Sequence, residues 1–223
     1  MELNKILAHA DHTNLAPDAG WDSIKKTVDE GIRFGTASVC IPSCYVKRAA
    51  EYAAGKVKIC TVIGFPCGYE PTEVKVAQTA AAVRDGADEI DMVINVGELK
   101  SGNTDYVQSE IEAIRKACEG KILKVIIECC LLTDAEMVQM CKIVATAGAD
   151  YIKTSTGFSK GGADPHNVKI LCDNAPAGLK VKAAGGISSL EDAELFLSLG
   201  ADRLGTSRLV KIAMSESTDS TSY

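Results

Sequence analysis

The chain has 223 residues, enough for one large core, and α/β barrels of about 200–250 residues commonly form a single domain. Hydrophobic residues make up 46% and aromatic ones 5%, so the core must be built from Val, Ile, Leu and Ala; this excludes an aromatic-rich sandwich and fits strands covered by Ala-rich helices. A formal charge of −6 argues against nucleic acid as a principal partner, because phosphate backbones demand basic surfaces, but leaves room for a local basic pocket that takes one small phosphate.

The opening residues, Met1-Glu2-Leu3-Asn4-Lys5, lack the apolar stretch of a signal peptide, and no apolar run approaches the ~18 residues of a membrane helix. A cytoplasmic protein with no membrane partner is expected. The nine cysteines form no C-x-x-C pair, and His9, His12 and His166 are too few and too badly spaced for a metal site, so reduced thiols and no bound metal are expected.

In chain order, a short N-terminal helical segment leads to a strand near 11–15 and a helix over 21–30. Glu30-Gly31-Ile32-Arg33-Phe34 then reads as a helix end before a strand at 35–41. A strand at 57–64 leaves through Gly64-Phe65-Pro66 to a helix over 72–84. Gly86-Ala87-Asp88 closes that helix and opens a strand at 89–95, followed by a helix over 104–118. The strand at 124–130 includes Cys129 and Cys130 as core filler, and Thr133 ahead of Glu136 has capping-box spacing for a helix over 134–147. Gly148-Ala149-Asp150 opens a strand at 150–155, and another strand lies at 180–184. Ser188 or Ser189, ahead of Glu191, caps a helix over 190–199; Gly200-Ala201-Asp202 then opens a last strand at 203–206. Residues 215–223 are Ser/Thr-rich and read as a polar tail outside a barrel domain of 1–214.

Helix, glycine, strand and loop in strict alternation signify βα units and a parallel sheet. Eight units with short connections favour a single closed (β/α)8 TIM barrel. An open doubly wound sheet is disfavoured because no Gly-x-Gly-x-x-Gly follows the first strand.

Lys153 lies in Tyr151-Ile152-Lys153-Thr154-Ser155, where a buried strand is expected and an ammonium costs several kcal/mol unless it is paired or neutral. The repeat puts it in register with other residues. Five positions beyond the repeat glycines stand Asp91, Lys153 and Gly205, on the fourth, sixth and eighth strands, and alternate strands of a barrel share an interior layer. Lys182, in Val181-Lys182-Ala183-Ala184-Gly185-Gly186, sits on the strand beside Lys153; repulsion between two ammoniums, added to burial, lowers the pKa of one of them. Asp91 can balance the remaining charge and relay protons. The bland alternative is two strand-end lysines snorkelling to solvent, with Asp91 as an ion-pair partner. Loops after the seventh and eighth strands of such barrels often bind phosphate, and here they carry Gly185-Gly186 and Gly205-Thr206-Ser207, with Gly157 adding an amide from the sixth loop. Cys40, at a strand end, faces either the pocket or the core.

Five segments occur in order that together carry a resemblance: Asp11-His12-Thr13, Thr61-Val62-Ile63-Gly64-Phe65-Pro66, Asp88 through Asn95, Lys153-Thr154-Ser155-Thr156-Gly157-Phe158, and Lys182-Ala183-Ala184-Gly185-Gly186-Ile187. From about residue 5 to 210 the chain resembles the 2-deoxy-D-ribose-5-phosphate aldolase family. The resemblance implies a cofactor-free, metal-independent class I aldolase of deoxynucleoside catabolism. Its partners would be a small sugar phosphate and aldehydes, with a homodimer as the default assembly. By the same resemblance Lys153 forms the Schiff base, Lys182 depresses its pKa and Asp91 shuttles protons. Asp11, Thr13 and Thr156 lie near the sugar hydroxyls, and Gly157, Gly185, Gly186, Gly205, Thr206 and Ser207 near the phosphate. Tyr223 corresponds to a terminal tyrosine that assists protonation of the enamine carbon, and Lys160 is a further candidate for the phosphate. Competing readings are another Schiff-base barrel, such as a keto-acid aldolase or a transaldolase-like enzyme, and a catalytically silent sugar-phosphate binder, which would not need Lys153.

Overall fold

The computed structural model describes residues 1–219, with side chains described through Ser215. Helix and strand alternate from end to end: α1 (Leu3–Leu7), β1 (Ala10–Thr13), α2 (Trp21–Phe34), β2 (Ser38–Ile41), α3 (Val46–Ala53), β3 (Ile59–Ile63), α4 (Thr72–Arg84), β4 (Glu89–Val93), α5 (Val96–Lys100), α6 (Thr104–Ala117), β5 (Ile122–Ile126), α7 (Asp134–Thr146), β6 (Tyr151–Lys153), α8 (Pro165–Asn174), β7 (Lys180–Ala184), α9 (Leu190–Ser198), β8 (Arg203–Thr206) and α10 (Leu209–Asp219). Each strand pairs in parallel with the next, and β1 pairs with β8, so the sheet closes into an eight-stranded barrel. The expected (β/α)8 architecture is present. No helix is long and apolar enough to cross a membrane.

The three Gly-Ala-Asp turns are built alike. Gly86, Gly148 and Gly200 take φ of 104°, 76° and 106°, left-handed values that suit glycine, and end α4, α7 and α9. The alanine N–H then closes back on the helix, from Ala87 to Ala82, Ala149 to Val144 and Ala201 to Phe196. The aspartate does something the pattern alone does not announce. Its carboxylate accepts the N–H of a residue on the preceding strand: Ile59 on Asp88, Leu123 on Asp150 and Val181 on Asp202, at 2.8–2.9 Å. Each turn thus pins the start of its strand against the neighbour, which fixes the register.

Gly31 departs from its expected role. α2 runs through it to Phe34, and Gly35 (φ 62°) ends the helix instead. A Cβ on Gly31 would meet Val39 Cγ1 at 2.4 Å, so this glycine serves close packing of helix on sheet. Most strands are shorter than expected: β4 and β5 stop before the apolar loop residues Ile94 and Ile127, β2 starts three residues later, and β6 stops before Thr154 and Ser155. Cys129 and Cys130 lie in a single 3-10 turn, Cys129–Leu131, rather than on β5. Thr133 and Glu136 form the expected capping box, and Ser189 caps α9 with Asp192 as its partner rather than Glu191. α10 continues to Asp219, so helix enters the segment expected to be tail; Tyr223 lies outside the described residues.

Side chains alternate along each strand. Ile90, Leu123, Val125, Ile152, Val181 and Leu204 are buried among the apolar residues that line the helices. Each such side chain contributes about 1.5–3 kcal/mol, so the shell between strands and helices carries the hydrophobic stabilisation. The barrel interior is a different medium.

Candidate active site

Strand register stacks the inward side chains in three layers of four, as expected for an eight-stranded barrel. Ser38, Glu89, Tyr151 and Arg203 form the lowest. Asp11, Cys60, Lys124 and Lys182 form the middle one. Cys40, Asp91, Lys153 and Gly205 form the upper one. Asp91, Lys153 and Gly205 share a layer as the repeat spacing requires; a Cβ on Gly205 would meet Ala184 Cβ at 2.8 Å and Lys182 Cε at 3.2 Å, so the missing side chain leaves space for the lysine.

These layers form one continuous ion network, almost wholly buried. Lys153 Nζ and Lys182 Nζ both donate to Asp91 Oδ2, at 2.8 and 2.7 Å, and Lys124 Nζ donates to Asp91 Oδ1 at 2.7 Å. Lys182 also donates to Asp11 Oδ2, while Asp11 Oδ1 accepts from Ser38 Oγ at 2.7 Å and Arg203 at 2.6 Å. Glu89 holds Lys124 at 2.6 Å and Arg203 at 3.2 Å from below. Cys60 Sγ lies 3.2 Å from Asp91 Oδ1, and Cys40 is buried beside it. Cys40 therefore belongs to the barrel interior.

The electrostatics follow from this crowding. Burial pushes the Asp91 carboxyl up, but the Lys124, Lys153 and Lys182 ammoniums outweigh it and hold Asp91 well below the usual carboxylate range. Asp11 is low for the same reasons, with Lys182, Lys124 and Arg203 overcoming burial. Burial pulls Lys182 down, yet Asp11 and Asp91 hold it above the ordinary lysine range. Lys182 is therefore not the member of the lysine pair whose pKa falls, because the two carboxylates outweigh burial and the Lys124 ammonium. Lys124 is raised as well, its burial outweighed by Asp91 and the other acids around it. Lys182 and Lys124 are fixed cations. Lys153 differs in position: Asp91 is its one ion partner among the described residues, and its amine borders open space.

That space is a cavity of about 860 Å³ at the C-terminal mouth of the barrel. Thr13, Lys153, Thr156, Gly157, Gly185, Gly186, Gly205, Thr206 and Ser207 all line it. Asp11, Asp91 and Lys182 lie beneath its floor, reached through Lys153. The sixth and seventh loops meet backbone to backbone: a Cβ on Gly162 would sit 2.4 Å from the Gly185 carbonyl oxygen, and Ala163 N–H donates to Ala184 and Gly185. Glycine at these contacts lets two loops form one wall.

Four participants escaped the sequence reading. Lys124, Glu89 and Arg203 complete the network; each is a charged residue inside an apolar strand, the same signal that singled out Lys153. Glu128 follows β5, is buried, and accepts from Thr156 Oγ1 at 2.5 Å. Its signal was an acid closing the apolar run Val125-Ile126-Ile127. Lys160, by contrast, is not among the residues lining the cavity.

Comparison with known proteins agrees with this geometry. The profile of the DeoC/LacD family aldolases matches residues 6–204. A deoxyribose-phosphate aldolase of Streptococcus pyogenes serotype M4 (strain MGAS10750) is 53% identical over 223 residues, covering the whole of both chains. Among solved structures, one described as QR15, an aldolase, superposes with a TM-score of 0.91 at 38% identity, over 96% of this chain and 97% of the other. A deoxyribose phosphate aldolase from Aeropyrum pernix, described as tetrameric, gives 0.90 at 34% identity, over 97% and 92%. The chain belongs to the DeoC/LacD family of aldolases.

Proposed function

We propose that this chain cleaves 2-deoxy-D-ribose 5-phosphate reversibly to acetaldehyde and D-glyceraldehyde 3-phosphate through an imine on Lys153. The observation that carries the reading is the position of Lys153: its amine lies between a buried carboxylate, Asp91, at 2.8 Å and an open cavity with phosphate-friendly loops. Family membership and the full-length S. pyogenes relative support the same substrate.

The charges in the barrel set which amine is placed to react. Asp11, Glu89 and Asp91 face Lys124, Lys153, Lys182 and Arg203, three carboxylates against four cations. Lys182 and Lys124 hold their protons, so the amine that reacts is the one at the cavity.

The neutral amine attacks C1 of the open-chain sugar, and Asp91 exchanges protons with the resulting carbinolamine as water leaves. The protonated imine draws electrons from the C2–C3 bond. As the C3 hydroxyl loses its proton, that bond breaks, C3 becomes the aldehyde of glyceraldehyde 3-phosphate and an enamine remains on Lys153. Protonation at C2 and hydrolysis then release acetaldehyde and restore the amine. Thr13 and Thr156 meet the sugar, and Gly157, Gly185, Gly186, Gly205, Thr206 and Ser207 the phosphate; Asp11 acts from below by fixing Lys182. No metal or cofactor enters these steps.

Tyr223, which lies outside the described residues, enters the proposal through the resemblance alone, as the group that protonates the enamine carbon. Deleting Tyr223 should slow deuterium exchange into the acetaldehyde methyl group about tenfold; an unchanged exchange rate removes the tyrosine from the mechanism. A cytoplasmic homodimer, the family habit, completes the proposal, with sedimentation velocity as its check.

The imine itself can be trapped. Incubation with acetaldehyde and borohydride should leave a reduced two-carbon adduct on Lys153 by peptide mass. An adduct on Lys182 or Lys124, or none, would overturn the assignment. A silent sugar-phosphate binder would give none.

A further inference from the structure

The distal end of the cavity is lined by neutral groups. Gly157, Gly185 and Gly186 offer amides and Ser207 a hydroxyl, while the Thr206 hydroxyl already donates to the Ile187 carbonyl. A phosphate monoester brings a charge of about −1.5 to −2 at neutral pH, and this chain carries −6 overall, so neutral donors leave most of the repulsion standing.

The cavity wall holds four cations: Lys26, Lys153, Arg208 and Lys211. Two are engaged. Lys153 is bound to Asp91, and Lys26 reaches Glu30 at 3.8 Å. Glu30 is the one carboxylate on that wall and is itself taken by His12 Nε2 at 2.7 Å. Arg208 and Lys211 form no ion pair among the described residues. The sixth loop adds Phe158, half exposed, and no cation.

Their placement suits an anion at the loop ends. Arg208 directly follows Thr206 and Ser207, and its N–H donates to Thr206 Oγ1 at 3.0 Å, which fixes its backbone to the hydroxyl end of the cavity. Lys211 is three residues on, the spacing that brings side chains to one helical face. Lys211 also acts on buried His12, whose pKa is lowered chiefly by burial and further by this lysine, against the pull of Glu30. Its charge is therefore felt at the cavity wall.

We infer that Arg208 and Lys211 read the charge of the substrate: they bind its phosphate dianion and set the preference for phosphorylated over unphosphorylated aldehyde sugars. The inference rests on the sugar-phosphate reading above but needs no step of its chemistry. Arg208, with a planar fork matched to phosphate oxygens, is the directional partner, and Lys211 adds a point charge.

Glycerol 3-phosphate, which has no carbonyl and cannot form an imine, separates this inference from the aldolase reading. Calorimetric titration should show affinity reduced about tenfold or more in Arg208→Ala, further in Arg208→Ala/Lys211→Ala, and only partly restored in Arg208→Lys, which keeps the charge but loses the fork. In turnover, the ratio of kcat/KM for 2-deoxyribose 5-phosphate to that for 2-deoxyribose should fall by a similar factor in Arg208→Ala, through KM. Lys142→Ala, an exposed lysine on α7, controls for net charge. Unchanged affinity in the double variant, or an equal loss in Lys142→Ala, overturns the inference. Loss of the Lys153 adduct with phosphate binding intact would sink the chemistry and leave these two residues in place.

Discussion

Two networks of paired buried charge stand out among the described residues, and only one belongs to a site. Lys75 on α4 is as buried as Lys182 and pairs with Glu110 on α6 at 2.9 Å. Its three N–H groups are fully used, on Glu110 Oε1, the Gly68 carbonyl and the Val93 carbonyl. Glu110 Oε2 accepts the Asn95 N–H in turn. The pair ties the loops after β3 and β4 to two helices and has nothing left to offer a ligand. Lys153 has one carboxylate partner and a cavity before it. Burial of a charge thus marks a place where something must be paired; unused bonding capacity facing open space marks where chemistry can occur.

Exchanging the two lysines' fates is the sharpest way to break that comparison. Lys153→Ala should lower kcat by about 10⁴-fold or more, since a nucleophile and its partners act as a unit. Asp91→Ala should fall nearly as far, with a native circular-dichroism spectrum in both. Lys75→Ala should instead keep most of kcat in the folded fraction and lose about 3–5 kcal/mol of stability in urea, because Glu110 is left as an unpaired buried charge. Lys75→Met combined with Glu110→Leu should recover most of that loss. A Lys75 variant that loses activity without losing stability would erase the distinction.

A smaller effect separates the two groups by their response to acid. Asp11 and Asp91 are held below their ordinary values in the folded state, so the unfolded chain binds more protons once pH falls toward about 4. Their contribution is complete above that value and is lost as pH drops through it toward the lower folded values. Glu110 runs the other way: burial raises it against the opposing effect of Lys75, so its share favours the folded state as pH falls and is lost as pH rises. Urea midpoints between pH 5 and 3 should therefore fall less steeply in Asp11→Asn and slightly more steeply in Glu110→Gln. Equal slopes in all three proteins would contradict these directions.

The repeating unit, the barrel and the Asp91–Lys153–Lys182 set were legible because each leaves a local mark. A glycine at a fixed spacing fixes which residue points inward, and a lysine in an apolar strand advertises itself. Lys124 and Arg203 bear that same mark but stand below the layer that the repeat spacing picks out, so only the closed sheet shows that they complete the network. Glu128 and Lys75 were harder. Glu128 sits in a left-handed turn (φ 55°), and Lys75 lies on a helix whose inward face cannot be found from its Ala- and Val-scattered sequence. Gly31 was misjudged because glycine has two uses beside a helix end, and only the 2.4 Å approach to Val39 distinguishes them.

The aspartate of each Gly-Ala-Asp turn works as a ruler. It grips the preceding strand at a fixed point, and five residues from the glycine the side chain enters the barrel. Loops and helices on either side can lengthen without disturbing that measure. Removal of a single residue between Gly148 and Lys153 would turn the lysine to the helix side and bring an apolar neighbour into the barrel, converting the enzyme into an inert barrel without touching any group that does chemistry.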